Sequence, residues 1–155
     1  MLSQKARYAF KTLVALSHCQ PHETKQAKDI AKAEQIPLRF LEQILLELRR
    51  AGFIGSRRGR DGGHFLVKRP ADISLGEVLR LIDGPVAPLS CLSKTAYRRC
   101  RDCRDESTCA VRHIFMRTYE ATLAVLEKTS IASACDTHVR SSEARRRKQR
   151  SRVDT

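Results

Sequence analysis

The chain has 155 residues and a formal net charge of +13, with 41% hydrophobic and only 5% aromatic content. At roughly 100–200 residues per domain this is one domain with a modest core. The excess of Lys and Arg favours a phosphate-rich partner, because neutralising phosphates releases counterions. No apolar run approaches the ~18–20 residues needed to span a bilayer, and Lys5, Arg7 and Lys11 interrupt the N-terminal apolar pattern, which excludes a signal peptide. The expected setting is the cytoplasm, with no membrane partner. Free thiols persist there, so the six cysteines are read as metal-binding or redox-active rather than as a disulfide framework.

Leu2, Ala6, Ala9, Phe10, Leu13, Val14 and Leu16 recur at helical spacing and predict an amphipathic helix over about 3–18. Cys19, just beyond it, reads as a small half-buried filler. From Thr24 the pattern predicts a short helix with Ala27, Ile30 and Ala31 inward, broken at Ile36 and Pro37. The next helix turns Leu38, Leu41, Leu45 and Leu48 inward, with Pro37 at its start and Gly52 as its C′ residue. Two short helices joined by a tight turn have the spacing of a helix-turn-helix, whose second helix enters the major groove. Arg39, Glu42 and Gln43 lie near the N-terminal end of that second helix, on its outward face. Arg can bridge guanine N7 and O6, Gln adenine N6 and N7, and Glu can accept from cytosine N4. An ordinary solvated helix face is the alternative.

Phe53, Ile54 and Ser56 predict a strand and HFLV a second, with RRGRDGG between them, where Gly59, Gly62 and Gly63 permit positive φ. This is a wing with Arg57, Arg58 and Arg60 at its tip, able to lay an arginine in a minor groove or along phosphates. A plain charged hairpin turn has the same composition. His64 reads as a structural residue on a strand face. In ISLGEVLRLIDGP, Ser74 and Glu77 predict a capping box, Leu75, Val78, Leu79 and Ile82 form the buried stripe, and Gly84–Pro85 stops the helix. Further on, Val111, Ile114, Phe115, Thr118, Thr122, Val125, Leu126 and Thr129 alternate at steps of three and four. They predict a helix of roughly 25 residues, about 37 Å long, whose seam suits a second copy of the chain. The alternative is a helix lying over its own winged domain. From about residue 136 the chain is polar, and ARRRKQRSR reads as a disordered basic tail making non-specific phosphate contacts.

Between these helical patterns, CLSKTAYRRCRDCRDESTC holds Cys91, Cys100, Cys103 and Cys109 within nineteen residues. Lys94, Arg98, Arg99, Arg101 and Arg104 surround them, and nearby cations lower thiol pKa values. Four thiolates suit an Fe–S cluster. They equally suit tetrahedral zinc, for which Cys100-x-x-Cys103 is a half-site, and a metal-free switch with reversible Cys100–Cys103 or similar bonding remains a third reading. No nucleophile–base–acid set and no phosphate-cradling loop is present, so no enzyme is expected. The fold expected is mainly α with a small β-wing. A winged helix-turn-helix domain spans 1–84, a cysteine-rich sensor loop 85–109, a dimerisation helix 110–134 and the basic tail 135–155.

YAFKTLVALS, IPLRFLEQILLELRRAGFIGSRRGRDGG and ISLGEVLRLIDG, followed by the cysteine loop and the long helix, resemble the Rrf-two family of bacterial winged-helix repressors over about residues 1–134. The resemblance implies a homodimer on promoter DNA with a two-fold symmetric site, and an Fe–S cluster (2Fe–2S or 4Fe–4S) as sensor in many members. It puts base-reading positions at Arg39, Glu42 and Gln43, the wing arginine at Arg58, and cluster ligands at Cys91, Cys103 and Cys109, with a longer gap after Cys91 than is usual. The place of a histidine ligand in one branch is Arg112, with His113 one further on; the place of an acidic ligand in another is Arg7. Cys100 is then expected as the fourth ligand, since separations of eight, two and five residues let four sulfurs converge from a loop. The resulting expectation is a sequence-specific DNA-binding repressor whose affinity is controlled by an Fe–S cluster. The alternatives are a zinc-containing or metal-free thiol-switch regulator of the same fold, and a non-specific nucleic-acid-binding protein.

Overall fold

The computed structural model describes residues 2–20, 23–59 and 61–133. Arg60, Cys135 and the basic tail expected over 135–155 lie outside the described residues. In chain order the elements are α1 (Gln4–Ser17), α2 (Ala27–Glu34), α3 (Leu38–Arg50), β1 (Ile54–Arg57), β2 (Gly63–Leu66), α4 (Leu75–Asp83) and α5 (Ala110–Lys128), with 3₁₀ turns at Pro70–Asp72 and Ser90–Leu92.

Helix α1 is the hub, in contact with α2, α3, α4 and β2. Its Ser3 cap accepts from the Ala6 N–H at 3.0 Å, satisfying one of the orphan donors of the first turn. The same serine bonds the Asp83 carboxylate through both its backbone N–H and its hydroxyl, joining the start of α1 to the end of α4. Ala6 and Ala9 are fully buried beside Leu13 and Leu16, and their small side chains let neighbouring helices approach. Two lysines close helix ends: Lys11 Nζ donates to the Glu34 carbonyl at the end of α2, and Lys25 Nζ to the Ala15 carbonyl of α1, both at 2.8 Å.

Helix α2 starts later than the sequence pattern predicts. Lys25 exchanges two backbone hydrogen bonds with His64, at 3.0 and 2.8 Å. The chain is therefore extended up to Gln26, and α2 begins only at Ala27. Gln35 takes the left-handed conformation at its C-cap, φ 55°, and Ile36 is buried in the turn. On α3, Leu41, Leu45 and Leu48 are buried as expected, together with Ile44, whereas Leu38 is only half-buried. Gly52 ends the helix at φ +76°, with Phe53 N–H reaching back to the Leu48 carbonyl at 3.0 Å. This is the hydrogen-bond pattern of a glycine-terminated helix. The antiparallel hairpin pairs Ile54 with Leu66, Gly55 with Phe65, Ser56 with His64 and Arg57 with Gly63. The capping box of α4 is complete in both directions between Ser74 and Glu77.

The largest departure concerns α5, which has 19 residues instead of about 25, so it is roughly 28 Å long at 1.5 Å per residue. Two backbone bonds stop it. Leu75 N–H donates to the Thr129 carbonyl at 2.9 Å, and Ile131 N–H to the Ile73 carbonyl at 3.0 Å. Ser130 forms an antiparallel bridge with Ser74, and Ile131 is fully buried in the main core. Burying one isoleucine contributes roughly 1.5–3 kcal/mol, which outweighs the interruption at Thr129 and Ser130, and residues 131–133 are helical again. Glu127 adds an ion pair to Arg80 of α4. Both stripes of α5 are apolar. Met116, Tyr119 and Leu123 pack on the chain's own loop, while Val111, Ile114, Phe115 and Val125 of the predicted seam face solvent.

Candidate functional site

Arg39, Glu42 and Gln43 all lie exposed on one face of α3, opposite its buried leucines. Helix α1 fixes how that face is presented. Tyr8 meets Phe40 edge-to-face at 5.7 Å, and Lys5 pairs with Glu47 at 2.8 Å. At the far end, Arg49 Nη1 donates to Ser56 Oγ of β1 at 3.2 Å, so the helix and the wing share a rigid corner. Lys5, Lys11, Lys68, Arg69 and Arg80 are taken up by internal ion pairs. Arg39 and Arg58 are exposed and make no ion pair with another described residue, and the same holds for Lys28 and Lys32 of α2. The pair on α2 was passed over in the sequence, although its i,i+4 spacing on the outer face of the first helix is legible there.

The wing is shaped by close approaches. A Cβ on Gly55 would come 2.4 Å from the Phe65 ring, and the Arg57 guanidinium lies 5.6 Å from the centroid of that ring. Arg57 is thus held along β1, and Arg58 follows at the exposed tip. Of the turn glycines, Gly59 does adopt a left-handed φ of +112°, but Gly62 is required for a different reason: a Cβ there would sit 2.4 Å from the Arg57 carbonyl oxygen. Thr24 Oγ1 donates to the Asp61 carbonyl at 3.0 Å, a second fastening of the wing to the segment before α2.

The cysteine stretch folds against α5. Cys91, in the turn Ser90–Leu92, is buried with Leu92 and Tyr119 in a small second core, with Cys100 packed beside it. Cys91, Cys100, Cys103 and Cys109 all line a single cavity of about 460 Å³, together with Leu89 and Arg112. Within the cavity Cys100 neighbours Cys91, and Cys103 neighbours Cys109. The Cys100 thiol is pushed above its ordinary pKa, first by the adjoining Cys91, then by desolvation and by the other sulfurs. The Cys103 thiol is also raised, chiefly by desolvation and then by Cys109, with Arg99 only a small opposing influence. This corrects the expectation that the surrounding cations depress these thiols. Those cations are exposed, and Arg99 spends its guanidinium on the carbonyls of Cys103 and Arg104, at 3.2 and 2.8 Å. Any metal these thiols bind must displace their protons.

The nearby histidine is not part of this site. His113 Nε2 lies 2.7 Å from the Ser107 carbonyl oxygen, and the ring borders a different hollow with Ile114, Arg117 and Thr118. Arg7 stays on α1, bonded to Gln4 at 3.3 Å. Among the described residues no three Cys, His, Asp or Glu side chains are already placed to hold one metal ion. Two residues not singled out in the sequence, Tyr97 and Glu106, belong to the site together with Arg112. Tyr97 OH donates to Glu106 Oε1 at 2.6 Å, which raises the tyrosine pKa, and the other Glu106 oxygen lies 3.5 Å from Arg112 Nε. Their spacing follows no helical or strand period, so no local pattern announces them.

A helix-turn-helix with an adjoining wing, backed by a long helix, defines the class of winged helix-turn-helix DNA-binding proteins. The profile of the Rrf2 family, described as iron-dependent transcriptional regulators, matches residues 2–137. An rrf2-like HTH-type transcriptional regulator of Rhodobacter capsulatus is 43% identical over 134 residues, 84% of this chain and 89% of its own. The regulator NsrR of Geobacillus kaustophilus is 32% identical over 84% of this chain and 86% of its own. The solved structure of CymR, the global cysteine regulator of B. subtilis, superposes with a TM-score of 0.73 at 26% identity, over 88% of this chain and 97% of that one. The IscR structure of T. potens, with a TM-score of 0.67 at 21% identity over 89% of this chain and 88% of its own, shares the fold. The chain belongs to the Rrf2 family of DNA-binding transcriptional regulators, and is a regulator rather than an enzyme.

His64 gives the wing corner a pH signature. Its Nδ1 is buried without a hydrogen-bond partner, and its pKa is lowered, first by desolvation and then by Arg49. Between that lowered value and about 6.5, the unfolded chain binds a proton that the native state does not. Stability therefore rises with pH across this window and is lost as pH falls through it. The urea midpoint of wild type should drop from pH 7.5 to 5.5 by more than that of His64→Gln; equal drops would remove His64 as the cause.

Proposed function

We propose that this regulator is a homodimeric repressor that binds a two-fold symmetric promoter site in the cytoplasm, with an Fe–S cluster held by Cys91, Cys100, Cys103 and Cys109 setting its DNA affinity. The observation that carries the reading is the convergence of these four thiols on one cavity of about 460 Å³ beside α5. A single tetrahedral ion needs four sulfurs about 2.3 Å from one point. Two thiol pairs facing one cavity suit a group of several atoms better, and thiolates are the usual ligands of such clusters. The donor set fits. When bound, a cluster supplies a redox-active, iron-dependent crosslink among these residues, and whether it is 2Fe–2S or 4Fe–4S is read from its spectrum.

The chain's own residues carry the coupling. Cys91 packs on Tyr119 and Cys109 is the N-cap residue of α5, so movement of either sulfur bears on that helix. At its other end α5 holds α4 through Glu127, Thr129 and Ile131, and α4 holds α1 through Asp83. Helix α1 in turn sets α3 through Phe40 and Glu47. Arg39, Glu42 and Gln43 are assigned to base edges. Arg57, Arg58 and Arg60 of the wing, with Lys28 and Lys32, are assigned to phosphates or the minor groove. The second copy packs on the outer stripe of α5, where Ile114 is 67% and Val125 63% exposed; such apolar exposure at a three–four spacing is the pattern of a helix seam.

A second reading has a specific support. Cys100 is influenced most by Cys91, and Cys103 among the sulfurs most by Cys109, so these two pairings join Cys100–Cys103 as the ones to expect. In a metal-free switch each pair would lose two electrons and two protons to a hydroperoxide, which leaves as an alcohol and water. Disulfide mapping after peroxide treatment then finds those two pairings.

Three measurements decide. Anaerobically purified protein should contain iron and acid-labile sulfide and absorb in the visible, and Cys100→Ser should lower the iron content. A colourless, iron-free wild type excludes the cluster, and a fully loaded Cys100→Ser removes Cys100 from the ligand set. In footprinting on a palindromic site, Arg39→Ala and Gln43→Ala should each cost about 1–3 kcal/mol and relax base preference, while Arg58→Ala weakens all sequences alike. Unchanged footprints would end the assignment of α3 as the reading helix. In sedimentation equilibrium wild type should be a dimer and Ile114→Glu a monomer; a monomeric wild type would exclude the pairing.

A further inference from the structure

The cation that lines the thiol cavity from the helix side is Arg112, three residues beyond Cys109. Its side chain is only 22% exposed, like that of Glu106 beside it. The Arg112 Nε is buried and forms an ion pair but no hydrogen bond with Glu106, while the opposite Glu106 oxygen is bonded by Tyr97. Tyr97 precedes Cys100, Glu106 lies between Cys103 and Cys109, and Arg112 is on α5. The relay therefore staples the segments that carry Cys100, Cys103 and Cys109. The other arginine lining the cavity, Arg104, is exposed, and Arg99 is committed to backbone carbonyls.

Resting on the cluster reading above, we infer that Arg112 is the charge-compensating and positioning residue of this pocket, with Tyr97 and Glu106 as the struts that hold it there. Four thiolates around an iron–sulfur core make an anionic centre, and each added electron makes it more so. A guanidinium with restricted access to water stabilises the reduced form more than the oxidised one. Arg112 thus raises the reduction potential, and Glu106, a carboxylate one step further away, lowers it. Charge and strut have separable consequences, because Glu106→Gln loosens the loop yet removes a negative charge.

The test uses the full chain purified anaerobically with its cluster, by redox titration of the visible spectrum. Arg112→Gln should favour the oxidised form by about tenfold at a given potential, a negative shift of ~59 mV for a one-electron couple. Arg112→Lys should restore most of that shift, and Glu106→Gln should move the midpoint the other way. In the metal-free chain, Tyr97→Phe and Glu106→Gln should both speed amide hydrogen exchange across residues 98–109. Shifts of the same sign in Arg112→Gln and Glu106→Gln would overturn charge compensation. Unchanged exchange would overturn the strut. If wild type binds neither iron nor sulfide, the cluster reading fails and charge compensation falls with it. If the cluster is present and its potential indifferent to Arg112→Gln, this inference fails alone.

Discussion

The position of α5 depends on its being fixed at both ends by unrelated forces. At the C-terminal end the constraint is a short backbone ladder, Thr129 to Leu75 and Ile73 to Ile131, closed by a fully buried isoleucine. At the N-terminal half it is a small apolar cluster of Cys91, Leu92 and Tyr119, with Met116 and Leu123 at its edge. The first belongs to the main core and the second does not. A rigid rod joining a large core to a small, thiol-containing one is suited to carry a displacement between them, because helices bend little over five turns while small clusters repack.

The electrostatics sort into two populations. Lys5, Lys11 and Arg80 close ion pairs between helices, and Lys25 closes the end of α1. Pairs of this kind, with side chains 30–48% exposed, are worth at most about 1 kcal/mol each; their role is geometric. The other population, Arg39, Lys28, Lys32 and Arg58, is exposed and without an internal ion pair among the described residues. A net charge of +13 thus overstates what is available to a phosphate backbone. What distinguishes the two sets is whether a carboxylate from another helix lies within reach, which no local pattern shows.

The thiol pocket illustrates the same point from the opposite side. Five basic residues within the cysteine stretch would be expected to acidify the sulfurs, but desolvation and sulfur–sulfur contacts dominate at Cys100 and Cys103. Cations beside the cysteines in a loop can stay in water, and Lys94, Arg98, Arg99, Arg101 and Arg104 are all exposed. The cation that lines the cavity under partial burial is Arg112, from the helix beyond.

Periodicity and turn chemistry were sufficient for the winged helix-turn-helix, because those signals are local. The leucines of α3, the Ser74–Glu77 box, the Gly52 terminus and the glycine-rich hairpin each state their own conformation within a few residues. They also fixed which residues lie on the outer face of α3; the family was legible only as a resemblance of whole motifs, the RGRDGG wing and the placing of the cysteines above all. The outcome of competition between distant segments was not contained in such signals. Lys25 pairs with His64 instead of extending α2, Ile131 enters the core instead of prolonging α5, and the four thiols come to line one cavity. Tyr97, Glu106 and Arg112 meet only once the loop has closed. Those choices belong to the tertiary structure, since each exchanges a local preference of a few tenths of a kcal/mol per residue for burial or hydrogen bonding worth more than that, with a partner far away in sequence.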